Sequence, residues 1–169
     1  MSIIASAVIQ NDISFTLLQA GNNTQNENAS LNYTRSLSNG SGSLEIGYGV
    51  WYSGNIISSG SNYFNLESFP KKILDTTSNI KFSKIKSMAI LNNSIIYGRD
   101  IKILATGSNP FTTPWNGGSG NQLIKPYSVW QYSDPISGMI VSPTNKNFSL
   151  KSQHPSGISF TIVVVGVTG

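Results

Sequence analysis

The sequence predicts an all-β protein: an antiparallel β-sandwich, jelly-roll-like, with about eight to ten strands. Residues 43–52 read SLEIGYGVWY, and side chains that alternate with period two are typical of a strand with one buried face. Charged residues make up only 11% of the chain, and Ser and Asn, which favour turns over helices, supply most of the polar surface. Short apolar stretches between turn signals, with no helical pattern among them, favour two packed sheets.

The strands expected in the first half of the chain lie at 13–18, 31–37, 43–52 and 63–66. The polar, Asn-rich tract 21–30 is expected to be a flexible loop. The segment NGSG at 39–42 favours a hairpin that pairs the strand before it with 43–52. At Phe69–Pro70 the proline lacks the amide hydrogen that a ladder needs, so we expect an irregular connection through Asp75.

The strands expected in the second half lie at 84–91, 101–105, 127–132, 139–141, 148–150 and 158–165. The first of these is apolar on both faces from Met88 onward, and we expect both faces to be covered. A long loop rich in Gly, Pro and Asn is expected at 106–121. The length of 169 residues fits one domain, residues 1–169, with a sizeable core.

The net charge of +4 is small, and its most concentrated part is one basic segment. Five of the eleven cations lie in it: Lys71, Lys72, Lys81, Lys84 and Lys86. Such a segment is either a solvated loop and strand face or a patch that docks on an acidic partner. We do not expect nucleic-acid binding, because arginines interleaved with exposed aromatic side chains are absent here.

No motif in the sequence predicts catalysis, a metal or a cofactor. The chain has no Cys, and its seven Asp and Glu residues do not cluster. The single histidine, His154, lies between two predicted strands beside Pro155, and no G-x-S-x-G elbow accompanies it. We therefore expect a protein that is not an enzyme. We also expect no membrane association, since no apolar run approaches the roughly 18 residues of a spanning helix.

Four aromatic residues lie in or near the long loop and the strand after it: Trp115, Tyr127, Trp130 and Tyr132. Core and interface packing explains most such residues. The alternative is that Trp115, Trp130 and Tyr132 stack on sugar rings, as aromatic side chains displayed on β-sandwiches do.

Three stretches of the C-terminal half look familiar: IKFSKIKSMAILNNS (80–94), ATGSNPFTTPWNGGSGNQLIKPYSVWQYSDP (105–135) and FTIVVVGVTG (160–169). They resemble small structural proteins of tailed bacteriophages, in which a strand with an Asn-containing turn leads to a G-S-N-P/A-F loop, a Gly-rich segment and an apolar last strand. Proteins of this appearance are similar to jelly-roll virion components. The Asn-rich composition resembles that of phages with AT-rich genomes, such as the crAss-like group.

The resemblance implies an auxiliary (decoration or cement) capsid protein that binds and stabilises the head shell. Its partners would be the major capsid protein or other virion proteins. The chain would form a homo-oligomer, for instance a trimer, and would reside in the virion after synthesis in the host cytoplasm. The candidate docking elements are the basic segment and the loop with Phe111 and Trp115. The alternative is a carbohydrate- or receptor-binding module of a head or tail fibre.

Overall fold

The computed structural model of the protein describes residues 7–19, 25–39, 42–43, 45–46, 48–73, 76–115, 121–152 and 154–169. Its strands are β1 Ala7–Gln19, β2 Gln25–Asn39, β3 Glu45–Ile46, β4 Tyr48–Ile56, β5 Ser61–Asn65, β6 Phe69–Ile73, β7 Thr76–Ile80, β8 Phe82–Asn92, β9 Ile101–Ala105, β10 Asn121–Ile124, β11 Val129–Ser133, β12 Met139–Ile140, β13 Asn147–Lys151 and β14 Ile158–Thr168. Two single turns of 3₁₀ helix, Leu66–Ser68 and Thr113–Trp115, complete the described secondary structure. No helix in these ranges is long and apolar enough to cross a membrane.

Eight of the strands form two sheets that face each other. One has the order β11-β8-β14-β4, with β12 also paired to β8, and the other has the order β10-β9-β13-β5. The antiparallel pairs are nested along the chain: β4 pairs with β14, β5 with β13, β8 with β11 and β9 with β10. This nesting is what rolling one long hairpin into two sheets produces, so the predicted jelly-roll-like sandwich is confirmed.

The core between the sheets is built on aromatic side chains from both of them. Phe64 of β5 stacks on Phe148 of β13 with ring centroids 5.1 Å apart, and it meets Phe160 of β14 edge to face at 5.9 Å. All three rings are buried, and full burial of such a side chain contributes roughly 1.5–3 kcal/mol. On β8, Met88 faces this core, but Leu91 is 38% exposed, so the expected burial of both faces is wrong at that residue.

The long N-terminal strands β1 and β2 include part of the segment that was expected to be a loop. All thirteen residues of β1 pair with β2, from Ala7 opposite Leu37 to Gln19 opposite Gln25. The expected loop at 21–30 is therefore wrong for 25–30, where the ladder satisfies the backbone polar groups of a sequence without apolar alternation. Residues 21–24 lie outside the described part of the chain.

The expected hairpin between 31–37 and 43–52 is also wrong. The described part of 43–52 divides into β3, which pairs parallel with the end of β2, and β4. Strand β4 pairs instead with β14, from Tyr48 opposite Gly166 to Ile56 opposite Ile158. Strand β14 is the better partner because it is long, apolar and rich in β-branched residues, and it pairs with β4 along the whole length of β4.

The break expected at Phe69–Pro70 is likewise absent, because β6 forms a two-stranded antiparallel sheet with β7 and Pro70 lies opposite Asn79. Proline is tolerated in a strand that pairs on one side only. The Asn79 side chain donates to Ser68 Oγ at 2.9 Å, which links this hairpin to the first 3₁₀ turn.

A bulge interrupts the β8–β14 ladder at Lys86. Val165 lies opposite Ser87 and the next residue, Gly166, lies opposite Ile85, so Lys86 has no partner residue in β14. The backbones come so close there that a Cβ on Gly166 would clash with the Lys84 carbonyl oxygen. Only glycine fits this position without movement of the backbone.

Candidate functional site

Four loops meet at one end of the sandwich, and together we call them the loop end. They join β4 to β5, β8 to β9, β10 to β11 and β13 to β14, and their described residues are 57–60, 93–100, 125–128, 152 and 154–157. Backbone hydrogen bonds tie them to one another: Ser59 N donates to His154 O at 3.0 Å, and Tyr127 N donates to Asn92 O at 3.1 Å. The first bond joins the β4–β5 loop to the β13–β14 loop, and the second joins the β10–β11 loop to the end of β8, where the β8–β9 loop starts.

The side chain of Asn92, at the end of β8, holds two of these loops in place. It is fully buried, and its Nδ2 donates to Arg99 O at 2.7 Å and to Ile124 O at 3.1 Å. Its Oδ1 accepts from Ser94 N at 3.0 Å. One amide thus fixes the start and end of the β8–β9 loop and the end of β10. The sequence analysis assigned no structural role to Asn92 in the arrangement of these loops.

Large apolar side chains are exposed on this rigid support. We call them the loop-end surface: Ile57, Ile95, Ile96, Tyr97 and Tyr127. Tyr97 is 96% exposed, and Ile95 and Tyr127 are nearly four-fifths exposed. Tyr127 has a left-handed backbone with φ of 58°, which is uncommon for an aromatic residue. Ile95, Ile96 and Tyr97 are consecutive in the chain, and exposed apolar residues grouped in this way are typical of an interaction site.

A depression of about 500 Å³ lies beside the loop end, and we call it the sheet cleft. Its lining comprises Gly98, Asp100, Lys102, Asn121, Leu123, Lys151, His154 and Pro155. The core residues Ile101 and Ile103 flank Lys102 in β9, so Lys102 projects from the outer face of the sheet. In the ladder it lies between Leu123 of β10 and Lys151 of β13.

The charged groups of the sheet cleft are only partly paired. Lys125 Nζ lies 2.8 Å from Asp100 Oδ2, and this hydrogen bond raises the pKa of Lys125. His154 Nδ1 accepts a hydrogen bond from Ser156 N at 3.1 Å, so a neutral imidazole carries its proton on Nε2. Lys102 and Lys151 have no ion-pair partner among the described residues.

The structure disperses the predicted basic segment. Lys81 and Lys84 are exposed near the start of β8, roughly 30 Å of strand away from the loop end. Lys71 and Lys72 lie on β6, and their side chains are outside the described part of the structure. Lys86 is only 1% exposed, and its Nζ donates to the carbonyl oxygens of Ile136 at 2.7 Å and Pro135 at 3.2 Å. Its expected role in surface docking is therefore wrong.

Two loop residues, Phe111 and Trp115, were predicted to dock on a partner, and the prediction for Phe111 is wrong. Phe111 is fully buried in the core, and its backbone N donates to Asn147 O at 2.7 Å, so it anchors the loop from inside. Trp115 ends the second 3₁₀ turn, and its side chain is outside the described part of the structure.

The aromatic platform expected from Trp130 and Tyr132 does not face outward. These residues lie opposite Ile90 and Met88, which are fully buried, and cross-strand partners share a face of the sheet. Trp130 packs against the core. Tyr132 is 38% exposed because β11 is the edge strand of its sheet.

The described residues hold no group of three or more His, Cys, Asp or Glu that could bind a metal ion. What they offer chemically is an apolar surface on fixed loops and, beside it, a cleft with two lysines and a histidine. Sequence reasoning found neither, because each is assembled from loops and strands far apart in the chain. Three exposed apolar residues in a row, Ile95 to Tyr97, were the one local signal of the loop-end surface.

Comparison with known proteins adds little. No protein-family model matches the chain, and no curated protein matches it. The chain is similar to the Yersinia pseudotuberculosis-derived mitogen, with 10% sequence identity, a TM-score of 0.36, and coverage of 70% of this chain and 86% of the mitogen. This degree of similarity establishes neither a family nor a function for the chain.

Proposed function

We propose that the protein is a non-enzymatic structural protein of a bacteriophage particle, an auxiliary capsid protein that binds the head shell through its loop end. The observation that carries the proposal is the loop-end surface. The sequence resemblance described above supports the phage particle as its setting.

The loop-end surface has the properties of the centre of a protein interface. Tyrosine and isoleucine side chains give apolar contact area, at roughly 25 cal/mol per Å² buried, and exposed tyrosines such as Tyr97 are frequent binding hot spots. The loops that carry them are already fixed by Asn92 and by bonds between loops, so docking orders little additional backbone.

A repeated lattice would make modest contacts sufficient. When several identical contacts are linked, one holds while another is open, so no single contact has to be tight. Homo-oligomerisation of the chain would add to this effect by coupling several loop ends in one unit. Lys81 and Lys84, at the opposite end, remain candidates for a second contact with an acidic surface, and that contact would weaken as salt concentration rises.

The first test is the stoichiometry of the chain in purified phage particles, measured by quantitative mass spectrometry. An auxiliary head protein would be present in hundreds of copies per particle, roughly as many as the lattice has binding sites. A dozen copies would place it in the portal, tail or fibre instead. Absence from the particles would refute a virion role.

The second test identifies the docking surface. We expect the double change Ile95→Asp with Tyr97→Ser to lower particle occupancy by about tenfold or more, because it removes apolar area and buries a charge in the contact. The matched control is Ile136→Asp with Ile140→Ser, which changes two exposed isoleucines away from the loop end. Equal losses in both variants, or no loss in the first, would contradict docking through the loop end.

Trp130 and Tyr132 do not offer a stacking surface for sugar rings, because both side chains lie on the core-facing side of their sheet.

A further inference from the structure

We propose that the sheet cleft binds a saccharide that carries an acidic group, a carboxylate or a phosphate, through Lys102, Lys151 and His154. This site is separate from the loop-end surface, and it would operate whether or not the protein docks on a shell.

The lysine pair is the main evidence. Lys102 and Lys151 lie directly opposite each other on β9 and β13, and like charges at such positions destabilise a sheet. Elsewhere in the described structure, lysines close to acidic groups are paired with them: Lys146 Nζ lies 2.6 Å from Glu67 Oε2. Among the described residues the cleft pair has no such partner, so a bound anion would reduce the repulsion between the two lysines.

The other charges near the cleft do not cancel this pair. Asp100 is the acidic residue in the lining, and its carboxylate is already bound to Lys125 at 2.8 Å. His154 adds a further donor, because its Nδ1 is occupied by Ser156 N and its Nε2–H is left for a ligand. Three nitrogen donors from β9, β13 and the β13–β14 loop therefore surround one depression.

The size and remaining lining of the cleft favour a saccharide over a simple ion. A volume of about 500 Å³ is within the range of small-molecule sites and far larger than a phosphate ion. Leu123 and Pro155 are exposed beside the lysines and offer apolar surface to the C–H face of a sugar ring. The Asn121 side chain can both donate to and accept from hydroxyl groups. No Phe, Tyr or Trp appears among the described lining residues, and single-stranded nucleic acid stacks its bases on such side chains, so this lining does not favour it.

The test uses the purified full-length protein and isothermal titration calorimetry. The probes are a trigalacturonate, its fully methyl-esterified form, a phosphorylated maltotriose and inorganic phosphate alone. We expect saturable binding of the trigalacturonate, of the phosphorylated maltotriose, or of both, and a loss of affinity of about tenfold or more for the ester, because esterification removes the charge-assisted hydrogen bonds. The two charged probes separate a carboxylate ligand from a phosphate ligand.

The variant Lys102→Gln with Lys151→Gln should lose affinity by about tenfold or more, and Lys151→Arg should retain most of it. The control, Lys81→Gln with Lys84→Gln, removes the same charge far from the cleft and should bind as the unchanged protein does. Because the double cleft variant relieves like-charge repulsion, its thermal unfolding midpoint should not fall; if it does, the single change Lys151→Gln replaces it.

Four results would overturn the proposal: no binding of either charged oligomer, equal binding of the ester, equal losses in the cleft and control variants, or inorganic phosphate binding as tightly as the oligomers. The last would show a simple anion site.

Discussion

At the residue scale, the loop end depends on a single buried amide. Asn92 makes three hydrogen bonds through its side chain, and each bond reaches a backbone group of a loop or a strand end. A buried polar group left without a partner costs about 1–3 kcal/mol. The arrangement of the loop-end surface therefore rests on a residue that contributes none of its exposed area.

We expect Asn92→Ala to destabilise the fold by about 1–3 kcal/mol, because it leaves the Arg99 and Ile124 carbonyl oxygens without their donor. The matched control is Asn93→Ala. Asn93 is exposed and its amide bonds only the Thr161 hydroxyl in the described contacts, so its cost should be below about 1 kcal/mol. Urea unfolding of both variants measures the difference, and equal costs would contradict the role assigned to Asn92.

Residue identity alone did not reveal which side chains are buried. Lys86 was predicted to be on the surface because lysines almost always are, yet its apolar stem lies in the protein and its ammonium group binds two carbonyl oxygens. Phe111 was predicted to be on the surface because its neighbours are loop-forming residues. In both cases, contacts with a distant segment decide the burial, and no local pattern encodes them.

At the scale of elements, local alternation predicted where strands lie better than which strands pair. The predicted strand 101–105 matches β9, and 148–150 and 158–165 lie within β13 and β14. The polar strands β7, with sequence TTSNI, and β10, with sequence NQLI, were missed because neither alternates clearly. The predicted partner of β4 was wrong because two strands that pair across about a hundred residues leave no local signal in the sequence.

The close approach of β14 to β8 makes a specific prediction. We expect Gly166→Ala to destabilise the protein by about 1–3 kcal/mol, since the added methyl group meets the Lys84 carbonyl oxygen and the Phe82 ring. Gly49→Ala on the neighbouring strand β4 is the control, because nothing lies within 4 Å of a Cβ placed there. Thermal unfolding of the two variants tests this, and a tolerated Gly166→Ala would contradict the described bulge.

At the scale of the whole molecule, the fold class followed from the sequence while the functional surfaces did not. Many short strands with turn signals and no helix are a property of the chain as a whole, and they pointed to the two-sheet sandwich that the structure shows. The loop end and the sheet cleft each combine residues from several distant segments. Their positions depend on the nested strand order, which the sequence pattern does not specify.

The eight-stranded sandwich and the β1–β2 hairpin are distinct in their pairing. Among the described residues, β1 pairs with β2, and β2 also pairs with β3, but neither joins the two main sheets. We therefore expect a chain that lacks residues 1–39 to retain a β-type circular-dichroism spectrum and a cooperative unfolding transition. Some stability should be lost because Leu37 is buried. A truncated chain without cooperative unfolding would show that the hairpin is required for the fold.

The position of β14 also determines when the protein can fold during synthesis. It lies between β4 and β8 and completes one whole sheet, although it is the last of the described strands to leave the ribosome. Until then β4 and β8 emerge with open hydrogen-bonding edges and uncovered apolar side chains, a state that favours association with other nascent chains. Translation must therefore proceed past residue 168 before the sandwich closes, and chaperones that shield extended apolar segments would act on this chain until that moment.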